Sequence, residues 1–186
     1  TYKFTKQKKI YFINDFFNNK SANKLLKKYG KAKLVTTTNV FAHTGELKEF
    51  IQGLNKILDK DSIFVVENHY LKEIIEKLQF DSFYHEHLRT YSLKSLIRLM
   101  KYYNLNIIDA YTTERYNGNI QAHFIKNKKI KLSKNVINIL TKEKKAKLDN
   151  LKTYQNFSKK IEKAKTDLFK YLSLYPNALI IGKSYP

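Results

Sequence analysis

The apolar run Ile-Phe-Val-Val at residues 63–66 constrains the fold most, because it closely follows a helical pattern. The apolar residues before it recur with the spacing of a single helix face: Leu47, Phe50, Ile51, Leu54, Ile57 and Leu58. A short unbroken apolar run after such a helix is typical of a buried parallel strand. A similar unit precedes it, with a predicted helix from Ser21, as a possible N-cap, to Gly30 and a strand from Leu34.

With a further strand at about residues 9–13, the first 67 residues predict the order β–α–β–α–β. This order is typical of an α/β fold with a parallel sheet between helices. In such sheets, ligands bind beyond the carboxyl ends of the strands. That rule selects residues 39–43 and residues 67–70, and each of these segments contains a histidine.

The remaining sequence predicts the closing part of the sheet. We expect a short helix over residues 71–78, a helix capped by Ser92, and two antiparallel strands around a turn at Asn117 and Gly118. Two strands after an alternating series of strands and helices are how the sheet of class I methyltransferases closes.

The end of the sequence predicts a separate unit. A lysine-rich linker over residues 127–150 is expected to lead into a long helix that Pro176 ends, and residues 177–182 are expected to begin a new strand. We therefore divide the chain into residues 1–126, residues 127–150 and residues 151–186.

Composition excludes several classes of protein. The absence of cysteine excludes thiolate metal sites and cysteine nucleophiles. No apolar segment approaches the ~18–20 residues of a membrane span, and the first residues lack the apolar region of a signal peptide. We therefore expect a soluble cytoplasmic monomer that does not bind membranes.

The net charge of +20 is compatible with nucleic-acid binding, but only three of the 36 basic residues are arginine. Proteins that read phosphates and bases rely on the planar fork of arginine. We therefore expect no specific nucleic-acid partner, and a lysine-rich nonspecific binder of polyanions is kept as an alternative.

The tetrapeptide Tyr-His-Glu-His, residues 84–87, holds two of the five histidines. If this loop is extended, His85 and His87 share one face and Tyr84 and Glu86 share the other. A metal site would need a third ligand at a recognisable spacing, and none is found, so we expect no metal in this chain. An acid–base cluster is favoured, because imidazole titrates near neutral pH and a neighbouring carboxylate or phenol can orient it. A hydrogen-bonded loop without catalysis is the alternative.

Three motifs resemble the sugar C-methyltransferases, which use S-adenosylmethionine to methylate nucleotide-linked 4-keto sugars. Residues 38–43, Thr-Asn-Val-Phe-Ala-His, resemble the Asn-Asn-Val-x-Ala-His turn of that family, and residues 67–71 resemble its Glu-x-x-Tyr-Leu segment. Residues 80–93 match Phe-Asp-x-x-Tyr-His-Glu-His-x-x-Tyr-x-Ser-Leu almost throughout. The resemblance implies an incomplete Rossmann-like class I methyltransferase sheet, followed by a long helix and the first strand of a second Rossmann-like domain.

The same resemblance implies roles for individual residues. His87 would be the base that removes the proton next to the ketone, and Glu86 would orient it or share the proton. Tyr84 and His43 would donate to the keto or enolate oxygen, and Asn39 would lie near the cofactor S-adenosylmethionine. The nucleotide-diphosphate sugar would contact four further residues: Glu67, Tyr70, Asn117 and Gly118. We expect the remaining histidines to be structural, packing or surface residues: His69, His85 and His123.

The sequence also departs from the family pattern. Residues 115–121 correspond to the family segment Thr-His-Gly-Gly-Ser-x-Arg. One of its two glycines is missing here, and Gln121 stands where the family has arginine. The five glycines are scattered, and no glycine-rich cofactor loop, acidic ribose ligand or zinc-binding N-terminal region is found. We therefore expect a truncated chain that is inactive alone, with zinc only in a missing N-terminal region. The alternative is a non-catalytic binding or scaffold remnant of the same fold.

Overall fold

The computed structural model describes residues 10–126, 130–177 and 179. In chain order its helices and strands are α1 (Asn19–Tyr29), β1 (Ala32–Thr38), α2 (Leu47–Ile57), β2 (Leu58–His69), α3 (Leu71–Glu76), α4 (Leu93–Tyr102), β3 (Leu105–Thr113), β4 (Asn119–Lys126), α5 (Lys134–Lys145) and α6 (Leu151–Ser173). Single 3-10 turns at Phe80–Ser82 and Arg115–Asn117 lie between them.

The four strands form one open sheet in the order β1–β2–β4–β3. Strands β1 and β2 are parallel, whereas β4 runs antiparallel to both of its neighbours. The register places Thr38 beside Glu67 and Glu67 beside Gln121. The predicted α/β class is confirmed, and the two antiparallel strands follow as predicted.

The core lies on the sheet face to which every second residue of β2 points. Phe64, Val66 and Tyr70 are buried there, and α2 and α4 pack their apolar faces against them. The predicted face of α2 is confirmed, since Phe50, Ile51, Leu54 and Ile57 are all buried. Because helical periodicity is a local property of the sequence, this face could be predicted without knowledge of the fold.

Side-chain caps begin four of the described helices: α1, α4, α5 and α6. Ser92 accepts the backbone N–H of Ser95 and caps α4, as predicted. The predicted N-cap at Ser21 is wrong, because Asn18 caps α1 and Ser21 completes its capping box from the third helical position. The predicted stop at Gly30 is confirmed, with a φ of 76° that favours glycine.

The strand predicted at about residues 9–13 is wrong for the part that the structure describes. Residues 10–13 form no strand, and the side chains of Ile10, Tyr11, Phe12 and Ile13 are exposed. An aromatic and β-branched sequence is not sufficient for a strand, because a strand also needs a hydrogen-bonded neighbour.

The lysine-rich linker predicted over residues 127–150 is wrong for residues 134–145, which form α5. Its buried residues Val136, Ile139 and Glu143 have the spacing of one helix face, and lysines occupy much of the rest. The long helix α6 is confirmed, and Phe157 is its one buried residue. The strand predicted over residues 177–182 lies mostly outside the described residues, and the domain division stays a prediction.

Within the described residues, the helices are all too short or too polar to cross a bilayer.

Candidate active site

The loop after β1 is fixed by one buried aromatic side chain. Phe41 is fully buried, and its ring centroid lies 5.5 Å from that of Phe50 and 6.2 Å from that of Phe64. The backbone N–H of Asn39 donates to the Glu67 carbonyl at 2.8 Å, so the loop begins against the end of β2. His43 and Asn39 are therefore held at the carboxyl end of the parallel strands, where sequence reasoning expected them.

The Tyr-His-Glu-His segment forms a turn and is not extended. The backbone N–H of His87 donates to the Tyr84 carbonyl at 3.0 Å, which closes the turn. The turn brings Tyr84 and His87 to the same side, with ring centroids 4.3 Å apart and the Tyr84 hydroxyl 3.3 Å from His87 Nε2. The alternating arrangement expected of an extended loop is therefore wrong.

The orientation of His87 comes from a backbone carbonyl. His87 Nδ1 lies 2.7 Å from the Ser82 carbonyl oxygen. A carbonyl can only accept a hydrogen bond, so Nδ1 carries the proton of the neutral imidazole. The other nitrogen, Nε2, then has a free lone pair directed towards the Tyr84 hydroxyl. This arrangement gives His87 the geometry of a proton acceptor.

The resemblance implied that Glu86 orients His87 or shares its proton. Its carboxylate is exposed and lies 4.0 Å from His85 Nε2, and within the described residues it makes no hydrogen bond to His87. The Ser82 carbonyl occupies the position in which the carboxylate was expected. His85 is 88% exposed at its side chain, in keeping with the structural role predicted for it.

His69 belongs to the site, although the sequence predicted it to be a packing or surface residue. Its ring centroid lies 5.1 Å from that of His87, and the ring of His43 lies 4.6 Å from His87 on another side. Burial, and then the proximity of His87 and His43, hold the pKa of His69 below its usual value. Its place at the end of β2 was the signal that could have identified it.

The three imidazoles do not form a metal site in this arrangement. In the part of the chain that the structure describes, no three histidine or carboxylate groups are placed to hold one ion. Tyr84 and the rings of His43, His69 and His87 thus form one cluster of imidazole and phenol groups at this end of the sheet.

Glu67 and Tyr70 are buried, which does not favour the predicted contact with substrate. Tyr70 is 1% exposed and lies in the core, where burial and then the nearby Glu143 raise its pKa. Glu67 is 4% exposed, and its carboxylate accepts from Asn119 at 2.9 Å and from Gln121 at 3.1 Å. Both side chains therefore lie in the interior and not at the surface of the site.

Asn117 and Gly118 hold the β3–β4 turn against α3. The Asn117 carbonyl accepts from Lys77 Nζ at 2.7 Å, and a Cβ on Gly118 would lie 2.6 Å from Glu73 Cγ. Tyr116 and Asn117 adopt left-handed φ angles of 48° and 61°. The sharp turn that results explains why the predicted substrate residues face α3.

The preceding residues of this turn face the candidate site. The Tyr116 ring lies 5.4 Å from that of His69, and Arg115 Nη1 lies 3.6 Å from Glu67 Oε1. Gln121, where the family pattern has arginine, points to the same carboxylate. A positive charge thus reaches Glu67 from Arg115 instead.

Comparisons with known proteins found matching family models and similar relatives. A family model described as a methyltransferase domain matches residues 5–110, which is more than half of the chain. The chain therefore belongs to the methyltransferase-domain family. A second model, described as the C-methyltransferase C-terminal domain, matches residues 116–178. The resemblance to C-methyltransferases predicted from the sequence motifs is confirmed by this second match.

Individual relatives are similar over parts of the chain. The C-methyltransferase NovU of Streptomyces niveus is 36% identical over 93 residues, which cover 50% of this chain and 22% of that protein. An S-adenosylmethionine-dependent methyltransferase of Clostridium acetobutylicum ATCC 824 is 13% identical with a TM-score of 0.49, covering 68% of this chain and 70% of that chain. A protein of Pyrococcus horikoshii OT3 is 11% identical with a TM-score of 0.47, covering 67% of this chain and 64% of that chain.

Proposed function

We propose that this protein takes part in the C-methylation of a nucleotide-linked 4-keto deoxysugar with S-adenosylmethionine as the methyl donor. The observation that carries the proposal is the position of His87 Nε2. Its partner nitrogen is held by Ser82, and Nε2 faces Tyr84 among three imidazoles at the carboxyl ends of β1 and β2. The activity is proposed for the whole protein, since the match spans only 22% of NovU.

A carbon acid next to a ketone needs a base and a group that stabilises the enolate. His87 Nε2 takes the proton from the carbon adjacent to the ketone, and the Ser82 carbonyl holds the resulting imidazolium by its Nδ1–H. The Tyr84 hydroxyl and the His43 imidazole are close enough to donate to the oxygen on which charge develops. The electron pair of the carbon–hydrogen bond thus becomes the enolate nucleophile.

The end of β1 fits the methyl donor. Asn39 is half-buried, and its side-chain Nδ2 makes no hydrogen bond within the described residues. A free amide donor at this place suits the carboxylate of a methionine-derived cofactor. When bound, S-adenosylmethionine supplies an electrophilic methyl group on its sulfonium.

The proton-removal step can be tested without methyl transfer. The full-length protein is incubated in D₂O with a nucleotide-linked 4-keto sugar and S-adenosylhomocysteine, and mass spectrometry follows deuterium at the carbon next to the ketone. The wild-type protein is expected to catalyse exchange, and His87→Asn is expected to lose about 10²–10⁴-fold in rate.

His85→Asn is the matched control, because it makes the same change two positions away at an exposed side chain. It is expected to exchange at the wild-type rate. Exchange in His87→Asn at the wild-type rate would show that another group is the base, and its absence in the wild type would exclude the proposed reaction.

A further inference from the structure

A chain of three polar side chains connects the sheet to the loop after β1. Asn119 is fully buried, and its Nδ2 lies 2.9 Å from Glu67 Oε1 and 3.3 Å from Asn39 Oδ1. An amide nitrogen carries two hydrogens, so Asn119 can donate to both oxygens at once. Neither Asn119 nor this connection was predicted from the sequence.

The order of donors and acceptors in this chain is determined at its buried end. Both carboxylate oxygens of Glu67 accept hydrogen bonds, one of them from the NH₂ group of Asn119. The same NH₂ group also donates to the Asn39 side chain, which therefore accepts through its oxygen, Oδ1. The NH₂ group of Asn39 is left to point away from Asn119.

The backbone of Asn39 is fixed together with its side chain. Its N–H donates to the Glu67 carbonyl at 2.8 Å, and its φ is 52°. The left-handed conformation is costly for most side chains, although asparagine tolerates it comparatively well. Backbone and side chain are therefore both held by the Glu67 and Asn119 pair at the end of the strands.

We propose that Asn119, oriented by Glu67, is a positioning residue that makes Asn39 a hydrogen-bond donor to bound ligand. Asn39 would donate to an oxygen atom of the ligand. We assign this atom to the methionine carboxylate of the methyl donor. The identity of this ligand rests on the proposed function, whereas the orientation of Asn39 does not.

Glu67→Gln tests the orientation of the Asn119 and Asn39 amides by replacing one carboxylate oxygen with an NH₂ group. A glutamine side chain presents an NH₂ group of its own, which opposes the NH₂ groups of Asn119 and Gln121 at the two carboxylate positions. At least one amide must then turn or lose its acceptor. Glu143→Gln is the matched control, because Glu143 is also 4% exposed and its carboxylate also accepts two N–H groups, from Leu93 and Lys94.

Two measurements are made on the full-length protein and both variants. The ¹⁵N-labelled side-chain amide of Asn39 is observed by NMR, and S-adenosylhomocysteine is titrated by calorimetry. Glu67→Gln is expected to shift the Asn39 amide resonances and to weaken binding about tenfold, the usual size of one lost hydrogen bond. Glu143→Gln is expected to leave both unchanged.

Asn39→Asp provides a test that does not depend on a buried change. Aspartate still accepts from Asn119 but offers a negative charge in place of the NH₂ group, so binding of S-adenosylhomocysteine is expected to weaken by more than tenfold. Wild-type affinity in this variant would overturn the proposal.

The outcomes separate the inference from the proposed function. Unchanged Asn39 resonances in Glu67→Gln would overturn the inference, whatever the ligand does. If the wild-type protein fails to bind S-adenosylhomocysteine while Glu67→Gln still shifts Asn39, the proposed function fails and the positioning role stands.

Discussion

The imidazole rings of His69 and His87 lie 5.1 Å apart between centroids, with their planes at 83°. Two positive charges at this distance would repel by about 3 kcal/mol at an effective dielectric constant of 20. Together with its burial, this repulsion lowers the pKa of His69. The neutral form of His69 is therefore favoured in the folded protein.

The first prediction concerns pH and stability. Because the pKa of His69 is lower in the folded protein than in the unfolded chain, the unfolded chain binds protons more readily, and stability falls as pH drops below about 6.5. Asparagine does not titrate, so His69→Asn is expected to flatten the profile of unfolding free energy between about pH 7 and pH 5. Urea unfolding at a series of pH values measures this.

His123 provides the comparison for this profile, because burial also lowers its pKa but it lies away from the cluster. His123→Asn should remove its own part of the slope and leave that of His69. An unchanged acid slope in His69→Asn would contradict the role assigned to the three-histidine cluster.

The second prediction concerns the Tyr84 hydroxyl. Tyr84→Phe removes the group that faces His87 Nε2 and is expected to lower kcat on the order of 10², because a donor near the developing charge is lost. Its side chain is 43% exposed and phenylalanine keeps the ring, so the melting temperature should stay within about 2 °C. Steady-state kinetics and thermal unfolding measure the two effects. Tyr102→Phe, at an 82% exposed residue, is the control, and equal kcat in both variants would exclude a role for Tyr84.

The third prediction concerns the buried carboxylate of Glu143. It accepts the backbone N–H groups of Leu93 and Lys94 at the start of α4, and so it joins α5 to the helix that follows the Tyr-His-Glu-His turn. Glu143→Ala leaves both N–H groups without this acceptor and is expected to reduce the unfolding free energy by about 1–3 kcal/mol. Chemical denaturation measures the change.

Glu162→Ala makes the same substitution at an exposed position of α6 and is expected to change stability by less than about 0.5 kcal/mol. If the two variants were equally stable, the contact between α5 and α4 would have no energetic importance.

The fourth prediction concerns Gly118. Its φ of 137° and the position of Glu73, with Cγ 2.6 Å from an added Cβ, both oppose a larger residue. Gly118→Ala is expected to cost about 1–3 kcal/mol of unfolding free energy. Gly45→Ala, where an added Cβ meets nothing within 4 Å, is expected to be close to neutral. Equal denaturation midpoints for the two variants would contradict the close packing of the turn on α3.

The parts of the fold that were predicted depend on local patterns. The apolar faces of α2, the cap at Ser92 and the position of both loops at the strand ends follow from periodicity, capping chemistry and the rule for parallel sheets. Tyr70 could have been placed in the core by the same reasoning. It lies on the same side of the strand as Phe64 and Val66, because alternate residues share a face.

The parts that were missed depend on contacts between distant segments. The cap that Glu143 provides for α4 joins residues 50 positions apart, and its lysine-rich surroundings have the composition of a linker. The role of Asn119 depends on the pairing of β4 with β2, which joins it to residues 52 and 80 positions away. None of these contacts has a signature within a short window of sequence.

The left-handed residues of the β3–β4 turn have a consequence for affinity. Tyr116 holds a left-handed conformation that costs on the order of 1–2 kcal/mol, whereas Asn117 holds one that asparagine tolerates comparatively well. Lys77 and Gln79 fasten this turn through the Asn117 carbonyl, so the cost is met when the chain folds. The turn is therefore ordered before a ligand contacts Tyr116 and Arg115. Little of the ligand's binding free energy is then consumed in ordering the turn.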